Sequence, residues 1–245
     1  MEAKLQKVIS QWGIASRRQA EEMIKLERVR VNGVLAHIGQ KVNPQTDTIT
    51  VDGKRVSTQE RPVLNYLLIN KPSGVVSTCY DPQGRPTVLD LLPEDLCFGR
   101  GIHPVGRLDA DSTGALILTN DGDLTFKLTH PRHNIKKTYR VLVKGHPPEE
   151  TLQKWREGVL LDNKKTRTAQ VQLIEKIAEN SRLEIVLEEG RNRQIRRVAK
   201  KLGYPVIELH RTAIGSVQLQ LPNKEYLSEG SFRYLTEKEI LYLQK

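Results

Sequence analysis

The stretch Ser57-Thr-Gln-Glu-Arg-Pro62 constrains this chain most, because it is polar, lacks apolar periodicity and ends in proline. Such a segment continues neither a helix nor a strand. It therefore divides the 245 residues into two folding units. We place a compact module over 1–58, a linker over 59–62 and a larger domain over 63–245.

The first module opens with a helix expected from Lys4 to Trp12, which Gly13 stops. Ser16 and Gln19 have capping-box spacing, and Ala20, Met23 and Ile24 give the following three-turn helix an i, i+3, i+4 apolar stripe. In Val29-Arg-Val-Asn-Gly33 and Ile49-Thr-Val-Asp-Gly-Lys-Arg-Val56, Asn-Gly and Asp-Gly pairs sit among β-branched residues. That pattern predicts short strands joined by tight hairpins.

Beyond the linker, strands are expected at 64–69, 115–119, 138–143, 169–176 and 183–187, with helices between them. The fold class is α+β. A helix from Pro147 to Gly158 has acids at its start and Lys154 and Arg156 near its end, as the helix dipole favours. Another, Asn192 to Leu202, gathers Ile195, Val198, Ala199 and Leu202 on one side. Its opposite arc holds Arg193, Arg197, Lys200 and Lys201, with Arg196 on the seam. Thr236 and Glu239 form a capping box for a C-terminal helix.

Aromatic residues make up only 5% of the chain, so the cores rest on Val, Ile and Leu. The 39 Lys and Arg against 29 Asp and Glu give a net charge of +10, which points to a polyanionic partner. The excess is localised: six Lys or Arg and no acid between Lys127 and Lys144, and seven against the single Glu208 between Arg191 and Arg211. Clusters of that kind suit phosphate contacts. No stretch approaches the roughly 20 apolar residues of a spanning helix, and the N-terminus lacks the apolar centre of a signal peptide. We therefore expect no membrane partner and a cytoplasmic protein. Cys79 and Cys97 have neither CxxC spacing nor a paired His, so no zinc or redox motif is signalled.

Arg17 and Arg18 fall in the first turn of a helix, where the dipole favours acids. A bound phosphate at that helix end would explain them. Gly13-Ile-Ala-Ser-Arg-Arg-Gln-Ala-Glu-Glu-Met-Ile24, Arg28-Val-Arg-Val-Asn-Gly33 and Asp47-Thr-Ile-Thr-Val-Asp-Gly53 together resemble an S4 RNA-binding domain of αL type. Glu27 departs from that pattern, standing where such domains usually have glycine.

Gly106-Arg-Leu-Asp109 lies in a polar loop ahead of an apolar strand, a common setting for catalytic carboxylates. Read alone, an aspartate in a Ser/Thr/Gly loop is a turn or cap residue, and Asp111 is read that way. The wider run Pro104-Val-Gly-Arg-Leu-Asp-Ala-Asp-Ser-Thr-Gly-Ala-Leu-Ile-Leu-Thr-Asn-Asp-Gly122 resembles the signature of the RsuA/RluB group of pseudouridine synthases. Asn70-Lys-Pro-Ser-Gly74, Lys136-Lys-Thr-Tyr139 and Glu189-Gly-Arg-Asn-Arg-Gln-Ile-Arg-Arg197 agree in order. The resemblance implies an N-terminal S4 domain and a catalytic domain built on a mixed, mostly antiparallel sheet with flanking helices.

It also implies that Asp109 is the nucleophile, Tyr139 stacks on the target base and Arg196 pairs with the aspartate. Lys136 and Lys137 are expected to meet phosphates, and Arg191, Arg193 and Arg197 to face RNA. Arg107 would orient the loop or a phosphate, and Lys71 is a further RNA contact. The reaction breaks the N1–C1′ bond of uridine and rejoins the ring through C5, without redox change or hydrolysis, so no cofactor and no metal are expected. Attack at C1′, addition to C6 and a glycal route all remain open. The base must be flipped out of its stack, which costs a few kcal/mol that an aromatic platform offsets.

The expected substrate is ribosomal RNA, large-subunit RNA being favoured over small, and the expected state is a monomer. Two rivals stand beside this reading: a non-catalytic S4-type binder of ribosomal RNA, and a metal-dependent nuclease on Asp109 and Asp111. The chain has no HExxH or comparable acidic and His constellation for the second.

Overall fold

The computed structural model describes residues 2–56, 62–97, 99–221 and 225–244. The expected linker over 59–62 thus lies, Pro62 apart, outside the described residues. By internal contacts the chain forms two compact units. One comprises Met1–Tyr66, Leu92–His103 and Thr119–Gly122, and the other Leu67–Leu91, Pro104–Leu118 and Asp123–Lys245.

The N-terminal module runs β1 (Ala3–Lys4), α1 (Leu5–Gln11), α2 (Arg17–Lys25), β2 (Val29–Val31), β3 (Val34–Leu35), β4 (Lys41–Val42), β5 (Ile49–Val51) and β6 (Lys54–Arg55). The capping box forms as expected: Ser16 Oγ accepts the Gln19 N–H at 3.3 Å, and Gln19 Oε1 accepts the Ser16 N–H at 3.0 Å. Both helices end in a Schellman motif, with Gly13 N–H to Ser10 O and Ile14 N–H to Ile9 O after α1, and Glu27 N–H to Ile24 O and Arg28 N–H to Met23 O after α2. The turn residue is left-handed in each, Gly13 at φ 70° and Glu27 at φ 57°. That geometry explains why glycine is usual at the second position.

The sheet order is β3-β2-β5-β6, all antiparallel. Its two hairpins turn at Asn32-Gly33 (φ 52° and 81°) and Asp52-Gly53 (φ 50° and 75°), the doubly positive φ of a type I′ turn. Leu5, Val8 and Ile9 of α1 and Ala20 and Ile24 of α2 are buried in one cluster with Val29 and Ile49, and Met23 packs at its margin.

The rest of the chain runs β7 (Tyr66–Lys71), α3 (Glu94–Cys97), β8 (His103–Pro104), β9 (Thr113–Thr119), α4 (Gly122–Thr129), β10 (Lys137–Lys144), α5 (Glu149–Glu157), β11 (Leu160–Leu161) and β12 (Lys164–Lys165). There follow β13 (Gln170–Ile177), β14 (Asn180–Leu187), α6 (Gln194–Lys201), β15 (Val206–Ile214), β16 (Val217–Gln218), β17 (Phe232–Tyr234) and α7 (Glu237–Gln244). The main sheet has the order β13-β14-β10-β15-β9-β7-β17, with β16 on β15 and β8 on β9. It is mixed and mostly antiparallel, as expected. β15 runs parallel to β9, whereas β10 with β14, β10 with β15, β13 with β14, β15 with β16 and β7 with β17 are antiparallel.

From Gly114 to Thr119, β9 is buried at every residue, as an inner strand covered on both faces must be. The expected strands form within a few residues of their predicted bounds. β15 is an addition: its charged residues hide the alternation, and it exists by pairing with β10 and β9 at once. The α5 helix stops at Gly158, where an added Cβ would lie 2.4 Å from Thr166 O. The Thr236/Glu239 box also forms, with Glu239 N–H donating to Thr236 Oγ1 at 3.3 Å.

Candidate active site

Asp109 sits in the connection from β8 to β9, and the backbone on both sides of it is tied down. Ser77 Oγ donates to Leu108 O at 2.9 Å and accepts the Leu108 N–H at 3.1 Å. On the other side, Gly74 N–H donates to Ala110 O at 2.8 Å. Lys71 is fully buried and its ammonium donates to Pro72 O and Val75 O, both at 2.7 Å, and to Ala110 O at 3.4 Å. Expected to reach RNA, Lys71 instead braces the aspartate loop from beneath. Burial is the main reason its pKa falls to about 8, against the opposing pull of the Asp111 and Asp109 carboxylates.

The loop is also held through β9. Gly114 has φ +107°, and an added Cβ would lie 2.2 Å from Arg211 O. Glycine therefore lets β9 and β15 approach at the register Arg211 to Gly114. Arg211 in turn donates its Nε–H to Ala115 O at 2.6 Å.

Arg193 has left-handed φ 47° and caps α6 rather than lying within it. A helical wheel puts it on the basic arc; the turn aims it instead at the aspartates. Its Nη1 lies 3.2 Å from Asp109 Oδ2, and its two Nη groups donate to Asp111 Oδ1 and Oδ2 at 3.2 and 3.0 Å. Those hydrogen bonds are the largest influence on Asp111 and hold its carboxyl below the usual range, with burial opposing. Arg196 reaches inward from the seam of α6, but its Nη2 donates to Asp111 O at 2.8 Å and Ser112 Oγ at 3.1 Å, with the Asp111 carboxylate at 3.4 Å. The expected Arg196–Asp109 ion pair is absent among the described residues, and Asp109's partner is Arg193. Asp111, read from sequence as a plain turn residue, anchors both arginines.

Two more arginines expected to face RNA are committed within the protein. Arg191 donates to Lys164 O at 2.9 Å and Lys165 O at 2.6 Å, fastening the β11–β12 hairpin. Arg197 pairs with Asp162. Arg107 and Lys136 are exposed, and Arg17 and Arg18 are exposed in the first turn of α2 with no hydrogen bond or ion pair among the described residues.

Asp109, Arg107, Tyr139, Lys137, Arg193 and Arg211 line one cleft of about 640 Å³. Tyr139 is buried on β10, with Arg211 beside it on β15. The cleft therefore offers a carboxylate, an aromatic side chain and several cations, which suits an anionic polymer delivering one planar base. Lys164, Lys165 and Arg167 also border it, and sequence reasoning missed them together with Arg211. For Arg211 a signal existed: it occupies the apolar phase between Leu209 and Ala213. Among the described residues no group of His, Cys, Asp and Glu could hold a metal ion, and no helix is long and apolar enough to cross a membrane.

The RNA pseudouridylate synthase family matches residues 65–201, and the S4 domain family matches residues 4–47. The ribosomal large subunit pseudouridine synthase B of Bacillus subtilis is 42% identical over 244 residues, covering 98% of this chain and 95% of the relative. An uncharacterized RNA pseudouridine synthase of Aquifex aeolicus is 36% identical, covering 100% of this chain and 95% of the relative. A crystal structure of a pseudouridylate synthase superposes with a TM-score of 0.69 at 30% identity, covering 98% of this chain and 99% of that one. The chain belongs to the RNA pseudouridine synthase family. It carries an S4 domain ahead of the synthase domain.

Proposed function

We propose that this protein isomerises a uridine of ribosomal RNA to pseudouridine, large-subunit RNA being the substrate rather than small-subunit RNA. Asp109 is the nucleophile, Tyr139 stacks on the flipped base, and Arg193 supplies the counter-charge that the family resemblance assigned to Arg196. Arg196 positions the loop through Asp111 and Ser112. The observation that carries this reading is Asp109 on a loop braced by Lys71 and Ser77, facing a cleft it shares with Tyr139.

Subunit preference draws support from relatives in Bacillus subtilis and Pseudomonas aeruginosa, both named as large-subunit enzymes. The S4 domain, taken as 1–58, contacts RNA through Arg17 and Arg18, and the catalytic domain, taken as 63–245, adds Arg107, Lys136 and Lys137. The reaction is redox-neutral and non-hydrolytic, so the protein acts without a cofactor, as a cytoplasmic monomer.

The test is tritium release from ribosomal RNA labelled at uridine C5, with EDTA present. Release from large-subunit RNA that vanishes in Asp109→Ala supports the reading. Binding without release from any ribosomal RNA domain replaces it with the non-catalytic S4-type binder.

A further inference from the structure

Arg211 is 3% exposed and lies in the strand next to Tyr139. Its Nε–H is used on Ala115 O, but its Nη2 is buried with no hydrogen-bond partner among the described residues. It forms no ion pair there either. An open donor on a buried guanidinium is costly unless something outside the chain completes it.

A second cation stands close by. Lys137 shares the Tyr139 face of β10, lines the same cleft, and spends one ammonium proton on Ile135 O at 3.1 Å. Burial, and secondarily the charge of Arg211, push its pKa down to about 8. A buried and a half-buried cation that repel one another and share no carboxylate are arranged to receive negative charge.

We propose that Arg211 and Lys137 form an oxyanion subsite that binds a carbonyl oxygen of the target uracil while the ring carries negative charge. The inference rests on the uridine-isomerising reading above. Depth favours the base over a phosphate: Tyr139 and Arg211 are both buried, whereas phosphates of a flipped nucleotide stay at the cleft mouth.

The chemistry requires such a group by either main route. When the N1–C1′ bond breaks, its electron pair leaves with N1 and spreads onto O2 and O4, while C1′ bonds to an Asp109 oxygen. After the ring turns, C5 attacks C1′ and releases the carboxylate. The C5 proton goes to solvent and N1 takes one up, so the product is an isomer and no electrons are exchanged. Addition of Asp109 to C6 pushes the pair through C5 and C4 onto O4 instead, so the same cations serve. They also retain the free ring while it rotates.

The experiment compares full-length wild type, Arg211→Gln, Arg211→Lys and Lys137→Met in single turnover at saturating ribosomal RNA, with RNA affinity measured in parallel. Loss of one preorganised oxyanion donor predicts a rate about 10²-fold lower for Arg211→Gln, with Kd within about twofold of wild type. Arg211→Lys recovers part of that loss. A second substrate carries 5-fluorouridine at the target, whose fluorine stabilises the ring anion; its consumption suffers a smaller deficit in Arg211→Gln than uridine does.

An unchanged rate, or equal deficits on the two substrates, overturns the proposal. So does a loss confined to Kd with the salt slope reduced by about one, which marks a phosphate contact. If Arg211→Gln lacks a cooperative melt, Lys137→Met carries the same comparison with the same outcomes. Wild type that releases no tritium defeats the functional reading and this inference together, whereas active wild type with indifferent variants defeats this inference alone.

Discussion

Two basic regions of this molecule have similar sequences and opposite employment. Arg17 and Arg18 open α2 with no acid in its first turn, exposed and without partners among the described residues. Arg191, Arg193, Arg196 and Arg197 are all engaged, with the Lys164 and Lys165 carbonyls, with Asp109 and Asp111, with the Asp111 carbonyl and Ser112 hydroxyl, and with Asp162. The first pair is available to phosphate. The second group assembles the cleft. A net charge of +10 therefore overstates the surface open to RNA, because a cation already bonded within the protein is not open to phosphate.

The largest effect that sharpens this contrast falls on the two aspartates. Asp109→Ala should lower tritium release by on the order of 10⁴-fold, as removal of a nucleophilic unit does, while RNA affinity holds or tightens because Arg193 loses a partner. Asp111→Ala should lower release less, by about 10²-fold, because it misplaces Arg193 and Arg196 without removing the reacting group. Equal losses in the two variants would erase the distinction between reacting and anchoring carboxylates.

Next come the arginines themselves. Arg191→Ala should cost about 1–3 kcal/mol in chemical denaturation, since two carbonyls lose their donor, with the salt dependence of RNA binding unaltered. Arg17→Ala should leave stability within about 0.5 kcal/mol and reduce the salt slope of binding by about one. The reverse pattern would break the comparison.

A pH test addresses the buried cation beneath the loop. Burial lowers Lys71 from 10.5 to about 8, so between those values the unfolded chain binds more protons than the folded one. Stability then rises with pH across that window, by up to about 1.4 kcal/mol per unit. Lys71→Met should flatten the rise in denaturation curves taken from pH 8 to 10; Lys137 acts with the same sign and remains in both proteins. The smallest effect is at Glu27, held at φ 57°. Glu27→Gly should raise the stability of the N-terminal module by about 1 kcal/mol, read as a shift in its melting temperature.

The N-terminal module was legible almost whole, because its signals are local. Ser16 and Gln19 cap a helix three residues apart, and Asn32-Gly33 and Asp52-Gly53 close hairpins within four residues. The cleft was legible only in part. Asp109 and Tyr139 were identified through long motifs, but helical periodicity placed Arg193 on a solvent-facing arc, and a left-handed residue sends it to the aspartates instead. Lys71 looked like a surface cation in a polar tetrapeptide, and its burial depends on carbonyls supplied by Val75 and Ala110.

The sequence by itself determined which segments become helix or turn, since those depend on neighbours a few residues away. Tertiary structure alone decided which cations remain free. β15 forms only between β9 and β10, where Gly114 lets β9 approach it at Arg211 and the pairing with β10 sets Arg211 beside Tyr139. Those partners are 72 and 97 residues distant from Arg211 along the chain, from 211 − 139 and 211 − 114. No pattern within a single segment encodes a contact of that range.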